Sequence, residues 1–378
     1  MRKEPWLFSQ TLAGSGFLNL LRCLQQAGFS ISSRYFLRFI IVLIATLLFA
    51  PLALLEAVLY RRIISKHQVN SSPIFIIGHW RSGTTLLHNL MAQDEQWGYL
   101  NSFQAATLRI AKLGRFLKPF AQIALPAKRP MDDVTMHMDN PQEEEFALTN
   151  HRGLSFYLWV HFPKYLRAYL AQYLCINDAD LKLRQAWKDS YHTILQKTSW
   201  LNQGRPLLLK NPPNTARIAL LLELYPHAKF IYLHRHPTEL YFSTRRMLSE
   251  MMNIFQFHSI SSEEIEEDVL QIYSCLIQQF LRQQPLIPAH NFCALSYQQL
   301  KSDPLQAMAF IYDRFELNGY QVAKGRFTAY LETQRDYKVA HYTVVPEVQA
   351  KLDQRWGQLQ QQHTAWLSTL GDAIMPDC

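Results

Sequence analysis

The sequence predicts an α/β fold: a P-loop-like open parallel sheet flanked by helices, with an N-terminal hydrophobic helix that associates with a membrane. Three observations predict it. Short apolar runs ending in polar turns alternate with helical patterns, which gives repeated βα units and hence parallel strands. The first run, Ile74 to Gly78, leads through a Gly-x-x-x-x-Gly turn into a helix. Further back, Phe39 to Leu55 holds seventeen residues without a charge.

The 378 residues, 48% hydrophobic and 18% charged, can bury a full core as one large domain or two smaller ones. The net charge is +8, and the basic residues are scattered. That suits an anionic small ligand or an anionic membrane surface better than nucleic acid, for which no motif is present. The cysteines, Cys23, Cys175, Cys275, Cys293 and Cys378, are odd in number and form no C-x-x-C pair. This argues against a disulfide framework and a zinc site, and it fits a reducing compartment.

In chain order, residues 1–66 read as an amphipathic and hydrophobic membrane-associating region. A span needs about 20 apolar residues, down to about 17, and Pro51 and Glu56 shorten the comfortable part. The readings are a marginal transmembrane helix, a kinked helix in the interface and a buried core helix. Arg34 and Arg38 precede the stretch, and Arg61, Arg62 and Lys66 follow it. Basic flanks on both sides leave orientation open and favour a segment that dips into one leaflet. The main domain is expected over 67–345, and a polar, Gln-rich helical extension packed outside over 346–378.

Ile74 to Gly78 reads as a buried strand and Thr84 to Met91 as a helix, with Leu86, Leu87 and Leu90 on its buried side. The free N–H groups of the turn and the helix dipole make an anion site. An ATP-type loop would continue with Lys and Ser/Thr after the second glycine. Here Gly83 is followed by Thr84 and Thr85, and the cation lies inside the loop, at Arg81. The expected ligand is an anion on a nucleotide rather than a magnesium triphosphate.

Asn140-Pro141 starts a helix with Glu143, Glu144 and Glu145 in its first turn. That is either helix-start electrostatics or the seat of a general base, with Asp132, Asp133 and Asp139 close in sequence to raise a carboxylate pKa. The aromatic run from His151 to Leu166 either lines an acceptor pocket or packs the core. Pro206 to Lys210 is a second strand, broken by Asn211-Pro212-Pro213, with Asn214 or Thr215 capping a helix through Leu224. Lys229 to His234 is a third, ending in Arg235, with Ser243 on the helix that runs from Thr238 to about Met252. Asn291 to Tyr297 is a fourth, and Asp303-Pro304 opens another helix. Cations at the C-terminal ends of parallel strands lie on the edge where open sheets bind ligands.

Together, Arg81-Ser82-Gly83-Thr84-Thr85, Lys210, and Arg235 with Ser243 eight residues later resemble the sulfotransferase family, which uses 3′-phosphoadenosine-5′-phosphosulfate (PAPS). The wider sequence resembles its bacterial-type membrane-associated branch. The resemblance spans roughly residues 70 to 345 and implies a set of roles. Arg81 and the amides of Ser82 to Thr85 would hold the 5′-phosphosulfate, Lys210 the transferring sulfuryl oxygens, and Arg235 and Ser243 the 3′-phosphate. The co-product would be 3′,5′-diphosphoadenosine, and no metal would be required. Soluble phenol- and steroid-type members have a His two residues after the Lys as base, whereas this chain has Pro212. Glu143 and Glu145 are the expected substitutes, with His79 next. The acceptor would be a hydroxyl on a lipid, glycolipid or saccharide, and the enzyme would sit at a bacterial inner membrane with its catalytic domain cytoplasmic. The competing readings are a P-loop kinase-like phosphotransferase, against which the missing Lys after Gly83 argues, and a non-catalytic nucleotide-binding membrane protein.

Overall fold

The computed structural model describes residues 10–129, 134–176, 180–334 and 342–376, so Asp132, Asp133 and Cys378 lie outside the described residues. These residues gather into two units. One falls within Met1–Val69, Tyr99–Arg205 and Met247–Ile265, the other within Asn70–Gly98, Pro206–Arg246 and Glu266–Cys378.

In the first unit, α1 (Phe17–Gln26) is followed by α2 (Phe36–Leu48) and α3 (Ala50–Lys66). The single hydrophobic helix expected over Phe39 to Leu55 is therefore corrected to two, bent by 41°. No single helix among the described residues is long and apolar enough to cross a membrane. Pro51 is the reason: proline lacks an N–H and is tolerated in the first turn, so a new helix starts around it.

Both helices are inside out. α2 buries Arg38, Val42 and Thr46 and exposes Phe36, Leu37, Ile44, Leu47 and Leu48. α3 buries Ala53, Glu56 and Ile64 and exposes Leu54, Leu55, Val58, Leu59 and Ile63. Arg38 donates to the carbonyls of Gln256 (2.8 Å) and Asn253 (3.0 Å). The Glu56 carboxylate accepts from Lys197 Nζ and from the N–H groups of Lys112 (3.1 Å) and Leu113 (2.8 Å). Polar side chains thus anchor these helices to their own unit, and the apolar ones face out. Phe116, Phe120 and Ile123 are also exposed in this unit.

In the second unit, β1 (Ile74–Gly78), β2 (Leu208–Lys210), β3 (Lys229–His234) and β4 (Phe292–Ser296) form one sheet in the order β2-β1-β3-β4. All pairings are parallel. β1 and β2 are buried throughout, which is why they read as unbroken apolar runs rather than alternating ones. The register sets Ile76 opposite Lys210, Gly78 opposite Leu233 and His234 opposite Ser296. α4 (Thr84–Met91) follows β1 and packs Leu87, Leu90 and Met91 against Ile76, Leu208 and Ile231. Before Leu224 the helix is shorter than expected: Pro212–Ala216 is a 3-10 turn, and the α-helix begins at Ile218.

The C-terminal helix, Pro346–Leu367, is less peripheral than its composition suggests. Leu352, Trp356, Leu359 and His363 form a buried stripe. Trp356 Nε1 donates to the Leu270 carbonyl (3.1 Å), and His363 Nε2 pairs with Tyr232 Oη (2.8 Å).

Cys23 and Cys293 are free and buried, whereas Cys175 and Cys275 are disulfide-bonded.

Several histidines are buried in neutral form. Burial pushes His161 down to about 4. It pushes His88 and His363 to about 3, with help from Lys210 and His234 respectively. Each binds a proton in the unfolded chain near its ordinary 6.5 but not in the fold. Stability is therefore complete above about pH 6.5 and is lost as pH falls toward these lower values, at up to about 1.4 kcal/mol per pH unit per histidine. Urea midpoints should drop clearly between about pH 7 and about pH 5; equal midpoints would mean that the histidines titrate normally.

Candidate functional site

Gly78 ends β1 with φ 139°, and a Cβ there would lie 2.3 Å from the Leu233 carbonyl oxygen. Only glycine lets β1 run this close to β3 and then turn away. Thr215 fixes the turn: its Oγ1 accepts from Gly78 N (2.7 Å) and donates to Gly78 O (3.2 Å). Arg81 is left-handed at φ 71°, and Gly83, at φ 95°, caps α4. A Cβ on Gly83 would meet Tyr297 Cδ2 at 2.7 Å. The Ser82 hydroxyl (2.7 Å) and its N–H (3.2 Å) both donate to the His79 carbonyl. Ser82 therefore closes the loop, and the amides of Gly83, Thr84 and Thr85 open α4, where helix N–H groups have no intrahelical acceptor.

Around this loop the predicted cations converge. Arg81 Nε donates to Ser243 Oγ at 2.9 Å. Arg235 Nη1 donates to the Arg81 carbonyl (3.0 Å), and its Nε reaches the Glu239 carboxylate (2.7 Å). The Arg235 guanidinium also stands 4.4 Å from the Tyr297 ring centre. Lys210, 2% exposed, donates to Thr85 Oγ1 at 3.3 Å. Residues far apart in sequence, Arg81 to Thr85, Lys210, Arg235 and Ser243, thus meet at one edge of the sheet. Beside them is a cavity of about 480 Å³ lined by Arg235, Phe242, Tyr297, Lys301, Tyr342 and Gln349, among others.

The candidate bases belong to the first unit, except His79. The Tyr157 hydroxyl donates to half-buried Glu143, and the Tyr191 hydroxyl donates to buried Glu144 at 3.1 Å. The fully buried Glu145 accepts from Ser155 Oγ (3.1 Å) and the Phe156 N–H (2.7 Å). His79 is buried, with its ring 5.5 Å from those of Trp80 and Tyr273. Burial pushes it down to about 4, so it stays neutral and weakly basic.

Three contributors escaped the sequence reading. Glu239 was visible as an i,i+4 partner of Arg235. Tyr297 follows the fourth strand, at the same edge as the other strand ends. From sequence Thr215 reads only as a helix cap, and nothing local points to its bonds with Gly78.

A model of the sulfotransferase family matches residues 73–321, which include the whole loop, Lys210, Arg235 and Ser243. The chain belongs to the sulfotransferase family. It is an enzyme that transfers a sulfuryl group to a hydroxyl acceptor, and the family implies PAPS as donor. The chain is 27% identical over 308 residues to the omega-hydroxy-beta-dihydromenaquinone-9 sulfotransferase Stf3 of Mycobacterium bovis, and equally to that of Mycobacterium tuberculosis. The match covers 82% of this chain and 79% of those proteins. Its fold is similar to crystal structures of two sulfotransferases. STF9 from Mycobacterium avium has a TM-score of 0.67 at 17% identity, covering 93% of this chain and 90% of that one. STF1 from Mycobacterium tuberculosis has 0.61 at 20% identity, covering 90% of each.

Substituting Gly78→Ala in this sulfotransferase forces a side chain onto the β3 backbone and should cost roughly 1–3 kcal/mol from backbone strain alone, with loss of turnover. Denaturant unfolding measures the first; full stability and activity would show that the loop relaxes freely.

Proposed function

We propose that the enzyme transfers the sulfuryl group of PAPS to a hydroxyl of a membrane-resident lipid. The contact of Arg81 Nε with Ser243 Oγ carries the donor half of this reading. It joins the two sequence signatures that the family assigns to the two phosphate ends of the donor. A cradle fitted to that donor is also supported by the amides opening α4, by Gly83, where a Cβ would strike Tyr297, and by the clustered cations.

In this reading PAPS supplies the sulfuryl group, and the residues bind and orient it. Arg81 and the α4 amides hold the 5′ end, while Arg235 and Ser243 hold the 3′-phosphate. Lys210 sits at the end of β2, where an ammonium stabilises charge on the transferring oxygens. Sulfuryl transfer resembles phosphoryl transfer, so positioning and charge stabilisation do most of the work. Removing such a donor costs about 10²–10³ in turnover. Glu143 is the proposed base, in preference to Glu145. Glu145 is fully buried and holds Ser155 and Phe156, a structural task, whereas Glu143 is half-buried and bonded to a tyrosine hydroxyl.

A lipid acceptor is supported by the outward apolar faces of α2 and α3 and by the acceptor in the name of the Stf3 relative. With Arg38 and Glu56 turned inward, the two helices suit an interfacial rather than a spanning placement. The same reading places the enzyme on the cytoplasmic leaflet of a bacterial inner membrane, on the side where PAPS is made.

Calorimetry without magnesium should show binding of 3′,5′-diphosphoadenosine well above ADP and AMP, with Arg235→Ala abolishing the difference. Equal binding of ADP would sink the donor assignment. Hydroxylated lipids should turn over where simple saccharides do not.

Glu143→Gln should lower turnover by about 10²–10⁴ and leave donor binding and the unfolding midpoint intact. Glu145→Gln should instead lower stability. The reverse pattern would exchange their roles.

A further inference from the structure

Three arginines from separate stretches of the first unit meet around one cleft. Its volume is about 440 Å³, and its lining is Arg22, Arg109, His151, Arg152, Leu154 and Ala186, none of them acidic. Arg22 is on α1, Arg109 lies in the 3-10 turn Leu108–Ile110, and His151 and Arg152 end the helix Glu144–His151. Cations at a helix C-terminus are favoured by the dipole, which accounts for the last pair. It does not account for Arg22 and Arg109.

The Arg109 guanidinium packs over the residue before α1: a Cβ on Gly16 would lie 2.2 Å from its Nη1 and 2.6 Å from its Cζ, so any larger residue there would move it. The side chains of Arg22, Arg109 and Arg152 make no hydrogen bond or ion pair with any described residue. The charges felt by His151 are Arg152, Lys197 and Arg109, all cationic. Glu56 is engaged by Lys197. Arg109 is half-buried while Arg22 and Arg152 are exposed, so the three guanidinium groups repel one another and Arg109 alone also loses hydration. An oxyanion would offset both costs through bidentate, charge-assisted hydrogen bonds. Beside Arg22, α1 exposes Leu18 (68%) and Leu21 (38%).

We propose that this cleft binds the phosphate headgroup of an anionic lipid, with Arg22, Arg109 and Arg152 as donors and the exposed α1 leucines against the acyl chains. The site shares no residue with the donor cradle. It rests on the membrane-docking reading for the source of the anion, not for the anion itself.

The test uses the full chain with vesicles of phosphatidylcholine, alone or mixed with phosphatidylglycerol. The variants are Arg22→Gln with Arg109→Gln, Val58→Gln on the outward face of α3, and Arg167→Gln, an exposed arginine outside the cleft. The parent should prefer the phosphatidylglycerol vesicles. The double variant should lose roughly tenfold of that preference, with Arg167→Gln losing little and binding to neutral vesicles unchanged. Val58→Gln should weaken binding to both vesicle types. Its failure to do so would count against the docking reading while the preference still decides the cleft.

Equal losses in the double variant and Arg167→Gln would overturn the proposal in favour of diffuse attraction, as would a parent without preference. Inorganic phosphate that raises the melting midpoint through Arg109, with the vesicle preference unaffected by the double variant, would make this a soluble-anion site instead. Without ligand, Arg109→Gln should be at least as stable as the parent, because it removes an unpaired charge. A marked loss of stability would assign Arg109 to the fold and overturn the proposal.

Discussion

The parallel register of the sheet is the constraint on which the proposed donor cradle depends. Strands that run the same way present their C-terminal ends at one edge, so their closing residues meet whatever their distance in sequence. With Gly78 opposite Leu233, the loop after β1 starts two residues short of Arg235, which directly follows β3. With Ile76 opposite Lys210, the ammonium emerges beside α4. A slip of one residue would reverse the faces of a whole strand and scatter these groups. The missing side chain at Gly78 is what lets the loop form against the β3 backbone, and left-handed Arg81 presents its carbonyl to Arg235. The cations gathered at this edge repel one another. A bound polyanion removes that repulsion, so the ligand supplies part of the site's own stability.

The first unit follows a different rule. A helix at the surface of a soluble domain turns its apolar stripe inward. α2 and α3 turn Arg38, Thr46 and Glu56 inward instead, and each meets hydrogen-bonding partners there. Burying Glu56 unpaired would be costly, so Lys197 and the Lys112 and Leu113 amides are conditions for α3 lying where it does. The exposed leucines are then a consequence of the polar anchoring, and the helix pair is a built surface rather than a loose hydrophobic arm.

Sequence and structure agree best where the information is local. The strand, turn and helix from Ile74 to Met91 carry their own signals: a continuous apolar run, two glycines and an open helix start. β3 likewise ends at His234 as expected, and Arg235 follows from it. Agreement fails where the partner is remote. The break at Phe49 depends on Pro51, but the inward turn of Glu56 depends on Lys197, well over a hundred residues away. Glu143, Glu144 and Glu145 look alike at a helix start. They are told apart by Tyr157, Tyr191 and the pair Ser155 and Phe156, which only the fold brings near.

The charge pattern shows the same limit in another form. Along the sequence the excess of +8 looks evenly spread, which is how a merely soluble surface would look. In space much of it is gathered. Arg81, Lys210 and Arg235 come together at a sheet edge of the second unit, and Arg22, Arg109 and Arg152 at a cleft of the first. Like charges brought together are stabilised by a neighbouring anion, and for Arg235 part of that role falls to Glu239. At the cleft no described carboxylate plays that part, and the Arg109 guanidinium packs over Gly16. The anion proposed to arrive from outside the chain would supply there what Glu239 supplies to Arg235.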